Sequence, residues 1–116
     1  MSQKKVYIAK SGEYYKIGIS DNPPERIKQL NTASPERIQL VSEYKSVNAV
    51  AAEKRLHKSL RHYRKNGEWF ALTPKMFNLL MCVSADMDID MISIWLKNIS
   101  PFELMAMASV LGEKSC

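Results

Sequence analysis

A small α/β unit, α+β in kind, is the fold this chain predicts: a mostly antiparallel sheet flanked by helices, followed by a helical carboxy-terminal extension. Three observations carry that expectation. Short alternating segments separated by turn residues read as strands. Two helix starts with capping residues fall between them. After Leu72 the composition shifts to long apolar stretches that carry their own helix signals. A length of 116 residues allows one modest core. The expected division is an α/β domain over residues 1–72 and a helical extension over residues 73–116.

Val6-Tyr7-Ile8-Ala9 reads as the first strand, Ser11-Gly12-Glu13 as a turn, and Tyr14 to Ser20 as the returning strand of a hairpin. Asn22-Pro23-Pro24-Glu25 opens a helix, because Asn22 can cap it, proline suits a first turn, and Glu25 stands at the capping-box position. Ile27 and Leu30 share one side of that helix with Arg26 beside them, and Thr32-Ala33-Ser34-Pro35 ends it. Alternation from Ile38 to Glu43 marks a third strand. Ser46 to Tyr63 reads as an alanine-rich second helix, Arg64-Lys65-Asn66-Gly67 as a basic turn, and Glu68 to Leu72 as a short last strand. In the extension, Thr73-Pro74 and Ser100-Pro101-Phe102-Glu103 are helix starts. Phe77, Met81, Trp95, Leu104 and Leu111 then predict two or three helices that pack on the α/β unit or on a partner. Six of the seven methionines lie in this extension; they suit a core or an adaptable partner surface.

No apolar run reaches bilayer-spanning length, so no membrane partner is expected. The amino terminus, Met1-Ser2-Gln3-Lys4-Lys5, runs directly into a strand and reads as no secretory signal. Two cysteines, Cys82 and Cys116, make neither a disulfide framework nor a metal cluster, and a cytoplasmic setting is the expectation. The net charge of +5 is unevenly spread. Residues 1–72 carry 14 Lys and Arg against 7 Asp and Glu, whereas residues 73–116 carry 3 against 5. A basic front and a slightly acidic tail point to a polyanion partner for the front alone.

The second helix carries the sharpest signal. At 100° per residue, Ala49, Val50, Ala52, Leu56, Leu60 and Tyr63 fall on one broad face, with Lys54, Arg55, Lys58, Arg61 and His62 opposite. Glu53 lies near the middle of the apolar face, and His57 follows it one turn later. A carboxylate there is costly unless something compensates it. Three readings are open: a structural ion pair, with Arg26 as a candidate partner, a face that is only partly covered, or a metal ligand at the floor of a cleft. Trp69, Phe70 and Trp95 read as core residues and His62 as solvated. Arg61, Arg64 and Lys65 are either ordinary charged surface or a DNA-backbone contact.

Taken together, Val6-Tyr7, Lys16-Ile17-Gly18, Arg26, Glu53-Lys54-Arg55-Leu56-His57 and Glu68-Trp69-Phe70 resemble the GIY-YIG nuclease superfamily, in its small phage and bacterial branch typified by a phage T5 reading frame. The resemblance spans about residues 5 to 72, with five motifs in order, and it implies a metal-dependent DNA endonuclease. It assigns Glu53 to a single Mg²⁺ or Mn²⁺, Tyr7 to orienting or deprotonating the attacking water, and Arg26 to clamping the phosphate. Lys16 and Arg26 are the cations expected to lower the Tyr7 pKa. The chain departs from the pattern at three places. Lys5-Val6-Tyr7 stands where Gly-Ile-Tyr is usual, Lys16 occupies a tyrosine position, and Leu30 stands where relatives often carry His or Tyr. His57 is the candidate for the missing imidazole. Gly18 is expected wherever backbone or DNA approaches closely. The alternative function is a family-derived DNA-binding or regulatory protein with weakened cleavage. A homodimer through the C-terminal helices would let a one-site nuclease cut two strands.

Overall fold

The computed structural model describes residues 3–84 and 88–111. The amino-terminal hairpin consists of β1 (Lys5–Ser11) and β2 (Tyr14–Ser20), antiparallel, with Tyr7 opposite Gly18 and Ala9 opposite Lys16. Gly12 at its tip has φ +60, a left-handed conformation open to glycine without steric cost. Asn22 caps α1 (Pro23–Ala33), accepting from the Glu25 N–H at 3.3 Å. The Asn31 amide then brackets Ile38 with hydrogen bonds of 2.9 and 2.7 Å. That clamp delivers the chain to β3 (Gln39–Lys45), which pairs antiparallel with β1.

The second helix, α2 (Ala49–Ser59), is shorter than the Ser46–Tyr63 span expected from sequence. Asn48 caps it, accepting from the Ala51 N–H at 3.2 Å. Ser46 and Val47 stay outside because the Ser46 hydroxyl and the Val47 N–H donate to the Asp90 carboxylate, at 2.6 and 3.1 Å. After Leu60 the backbone tightens into a 3-10 turn over Arg61–Tyr63.

Arg64-Lys65-Asn66, expected as a turn, forms β4 (Arg64–Asn66) and pairs with β5 (Trp69–Phe70). All three side chains of β4 are exposed, so no apolar alternation betrays the strand. The expected last strand, Glu68–Leu72, narrows to β5, which pairs with Tyr15 and Lys16 of β2. The sheet is thus five-stranded and antiparallel throughout, in the order β3-β1-β2-β5-β4. With helices around it the fold is α+β.

The extension forms α3 (Pro74–Ser84), α4 (Ile89–Lys97) and α5 (Pro101–Leu111). Its apolar side chains join those of the sheet. One buried cluster runs from Val6, Ile8 and Ile17 through Leu56 and Leu60 to Met76, Leu79, Ile92, Leu96 and Leu104. Arg55, placed by periodicity on the open face of α2, donates from Nε to Ser93 Oγ of α4 at 2.9 Å. A smaller cluster of Tyr7, Ala9, Ile27 and Ile38 lies between the sheet and α1. No described helix is long and apolar enough to cross a membrane. Cys82 lies on α3. Cys116, Met1, Ser2, Met87 and the Leu111 side chain lie outside the described residues.

Candidate functional site

Strand alternation sends Tyr7 of β1 and Lys16 and Gly18 of β2 to the same face of the sheet. Tyr7 is only 1% exposed, and its ring lies across Gly18. A Cβ added at Gly18 would come within 2.7 Å of both Cζ and Oη of Tyr7. Within the protein, the close approach that Gly18 permits is made by the tyrosine ring. Tyr15, one residue before Lys16, points to the opposite face and stacks on Phe77, with centroids 4.6 Å apart.

Arg26, on α1, lies close enough to Tyr7 to lower its pKa, and its Nη1 donates to Gln29 Oε1 at 3.4 Å. Leu30, one turn further along α1, packs on the Tyr7 cluster. Lys16 is engaged otherwise: its Nζ lies 2.6 Å from Glu68 Oε2 and 5.6 Å from the centre of the Trp69 ring. Arg26 has the expected lowering effect on the Tyr7 pKa and Lys16 does not contribute, yet the net shift is upward. Burial and then the Glu68 carboxylate raise it above the ordinary tyrosine range, against the lowering effect of Arg26. Tyr7 is thus a neutral phenol at ordinary pH, able to orient a water by hydrogen bonding.

Glu53 enters the same electrostatic environment from α2, and its charge is felt at Tyr7. Its Oε2 is buried with no hydrogen-bond partner. Among the described residues Glu53 makes no ion pair with Arg26, the partner the sequence left open. Burial raises the Glu53 carboxyl above the usual range and Glu68 adds to this, while His57, Lys16 and Lys4 oppose it. His57 holds α2 to the sheet: its Nε2 donates to the Ile17 carbonyl at 2.7 Å, and its ring sits edge-on to Phe70 at 5.1 Å. In the neutral imidazole that arrangement leaves Nδ1 as an acceptor.

A buried carboxylate oxygen without a hydrogen-bond partner is costly as an anion, which fits the raised pKa of Glu53. Among the described residues no cluster of three or more His, Cys, Asp or Glu could hold a metal. A hard ion such as Mg²⁺ or Mn²⁺ could be held by the Glu53 carboxylate alone only with water and phosphate completing its shell. The donor set does not suit a zinc cage.

Arg61, Arg64 and Lys65 are all exposed. Arg61 borders a cavity shared with Leu96, Lys97 and Ile99 of the extension, whereas Lys65 borders one shared with Trp69 and Tyr14. Arg61 Nη1 donates to Lys58 O and Arg64 Nε to Gly67 O, each at 2.7 Å.

Glu68 is the site residue that sequence reasoning passed over. It stood in the Glu68-Trp69-Phe70 motif without a role, and only the β4–β5 turn brings it to Lys16. Phe70 is core as expected, whereas Trp69 is only half-buried and has one side on a groove. A family model described as the T5orf172 domain matches residues 4–84. No curated protein and no solved structure matches the chain.

Proposed function

The chain belongs to the T5orf172 domain family, and from this we propose that it is a metal-dependent DNA endonuclease of GIY-YIG type that hydrolyses phosphodiester bonds. The observation that carries the reading is the partnerless, buried Oε2 of Glu53, set in one electrostatic site with Tyr7, Lys16 and Glu68. A soluble domain without a use for that carboxylate would do better with an apolar residue. The motif order and the basic front segment support the same reading.

Within it, Arg26 has guanidinium N–H groups to set against a phosphate, bidentate where geometry allows. Tyr7, neutral and fixed over Gly18, orients the attacking water. Lys16, held between Glu68 and Trp69, adds positive charge beside the phosphate. A bound Mg²⁺ or Mn²⁺ ion at Glu53 would supply Lewis acidity and neutralise charge on the phosphate. His57 keeps α2, and with it Glu53, at a fixed distance from β2. A cytoplasmic setting and DNA as partner belong to the same reading. Two copies paired through the C-terminal helices would cut both strands, and Phe102, Met105 and Val110 of α5 are exposed for that contact.

The alternative, a DNA-binding relative with weakened cleavage, draws on the Lys16–Glu68 pair. It ties up the lysine that stands at the tyrosine position. One experiment separates the two. Purified protein is incubated with plasmid DNA and Mg²⁺ or Mn²⁺, beside an EDTA control and the Glu53→Ala variant. Nicking or linearisation by the wild type only, lost in EDTA and reduced at least about a hundredfold by Glu53→Ala, is the expected result. Full activity in EDTA, or undiminished cutting by the variant, overturns the nuclease reading. DNA binding without any cutting leaves the binder.

A further inference from the structure

Between the β1–β2 turn, the loop after α1 and the β4–β5 hairpin lies an open groove of about 440 Å³. Tyr14, Glu36, Lys65, Asn66 and Trp69 line it. Its position follows from the strand pairing. Tyr14, Lys16 and Gly18 alternate onto the same face of β2, and Trp69 is the partner of Lys16 on β5. From Gly18 to Tyr14 is roughly 13 Å along the strand, at ~3.3 Å per residue. The groove thus continues the face that carries Tyr7, and Trp69 joins the two, with Lys16 Nζ 5.6 Å from its ring centre. Distances of this size are those of a neighbouring nucleotide, not of a remote surface.

Its chemistry is that of a nucleobase pocket. Trp69 is half-buried and Tyr14 is 38% exposed, so aromatic surface is held open to solvent where a core would have covered it. Aromatic faces of this kind stack any base. Lys65 brings a cation for the backbone phosphate, and Asn66 brings an amide. Glu36 is the informative wall residue, because a carboxylate beside DNA repels phosphate and is useful only where it accepts from an amino group. We propose that this groove is a subsite for one unpaired nucleotide next to the cleaved phosphate, selecting bases with an exocyclic amino group over thymine. The position assigned to the nucleotide rests on the nuclease reading above; base binding in the groove is measured without it.

The test uses full-length Glu53→Ala protein, which keeps the groove and prevents cleavage, with fluorescently labelled oligo(dC) and oligo(dT) of equal length. Fluorescence anisotropy is expected to show oligo(dC) binding at least about fivefold tighter than oligo(dT). Tyr14→Ala weakens both by about tenfold. Glu36→Gln removes the preference for oligo(dC) and leaves oligo(dT) affinity unchanged. Both positions are exposed, and unchanged thermal melting shows that the fold is kept. Equal affinity for the two oligonucleotides, or a preference that survives Glu36→Gln, overturns the proposal; so does undiminished binding by Tyr14→Ala. Wild-type protein that binds oligo(dC) selectively but leaves plasmid uncut supports the groove and removes the nuclease reading. Protein that cuts plasmid with no base preference in the binding assay keeps the nuclease and overturns the groove.

Discussion

Gly18 illustrates how one atom organises the site. The Tyr7 ring occupies the space a side chain would take, 2.7 Å from the place of the missing Cβ, and neither ring nor strand can yield freely because both are buried. Gly18→Ala is expected to destabilise the protein by about 1–3 kcal/mol, the usual range for an overpacked core. In urea denaturation the double variant with Tyr7→Ala should lose less than the sum of the two single changes, since it removes the clash. Unchanged stability of Gly18→Ala would mean that the ring can move aside. Glu53 presents the opposite case. Its buried oxygen has no partner, and such a group costs about 1–3 kcal/mol. The Glu53→Ala protein that no longer cuts is therefore expected to melt at the same temperature or higher. A clear fall in melting temperature would show that Glu53 holds the fold together, and the functional reading of its burial would fail.

Among the elements, α2 is held on two sides. His57 ties it to β2, Arg55 ties it to α4, and Asp90 of α4 fixes the two residues that lead into it. The basic residues beyond its end are spread over the 3-10 turn and the edge strand β4. Replacing Arg61, Arg64 and Lys65 together with Ala is expected to weaken DNA binding across sequences. The log–log salt dependence should flatten by up to about one unit per lost phosphate contact. Because Arg61 faces the extension and Lys65 faces the Trp69 groove, the Lys65→Ala change alone should flatten the slope more than Arg61→Ala alone. Affinity and slope that both stay the same would show these side chains to be merely solvated.

Over the molecule as a whole, one apolar cluster crosses residue 72. Leu56 and Leu60 of α2 share it with Met76, Leu79, Ile92, Leu96 and Leu104 of the extension. A chain ending at Leu72 would expose that surface, and an α/β unit of this size has a marginal core without it. The truncated protein is expected to be insoluble or unfolded, as read by solubility, far-ultraviolet circular dichroism and thermal melting. A soluble truncation that melts like the full chain would contradict the packing argument. Light scattering on the full chain addresses the other apolar surface, where Phe102 is 82% exposed and Val110 64%. A dimer mass is expected if two copies cover α5, and a monomer at all concentrations would remove the pairing through this helix.

The sequence alone predicted the elements whose cause is local. Asn22 before Pro23-Pro24, the alternation of Ile38, Leu40 and Ser42, and the apolar stripe of Ala49, Ala52, Leu56 and Leu60 each act within a few residues, through caps and side-chain period. Glu53 was conspicuous for the same reason, as a charge on an apolar stripe. Strand β4 was not legible, because Arg64-Lys65-Asn66 has no apolar face and exists only by pairing with β5. The contacts that make a site of the candidates depend on packing between distant parts of the chain. Lys16 meets Glu68 across 52 residues, Ser46 meets Asp90 across 44, and His57 meets Ile17 across 40. Such pairings follow from sheet register and from helices closing over a shared core, and no local pattern encodes them. Whether Arg26 would pair with Glu53, and whether Tyr7 would carry a raised or lowered pKa, was therefore left to the folded arrangement of β1, β2, α1 and α2.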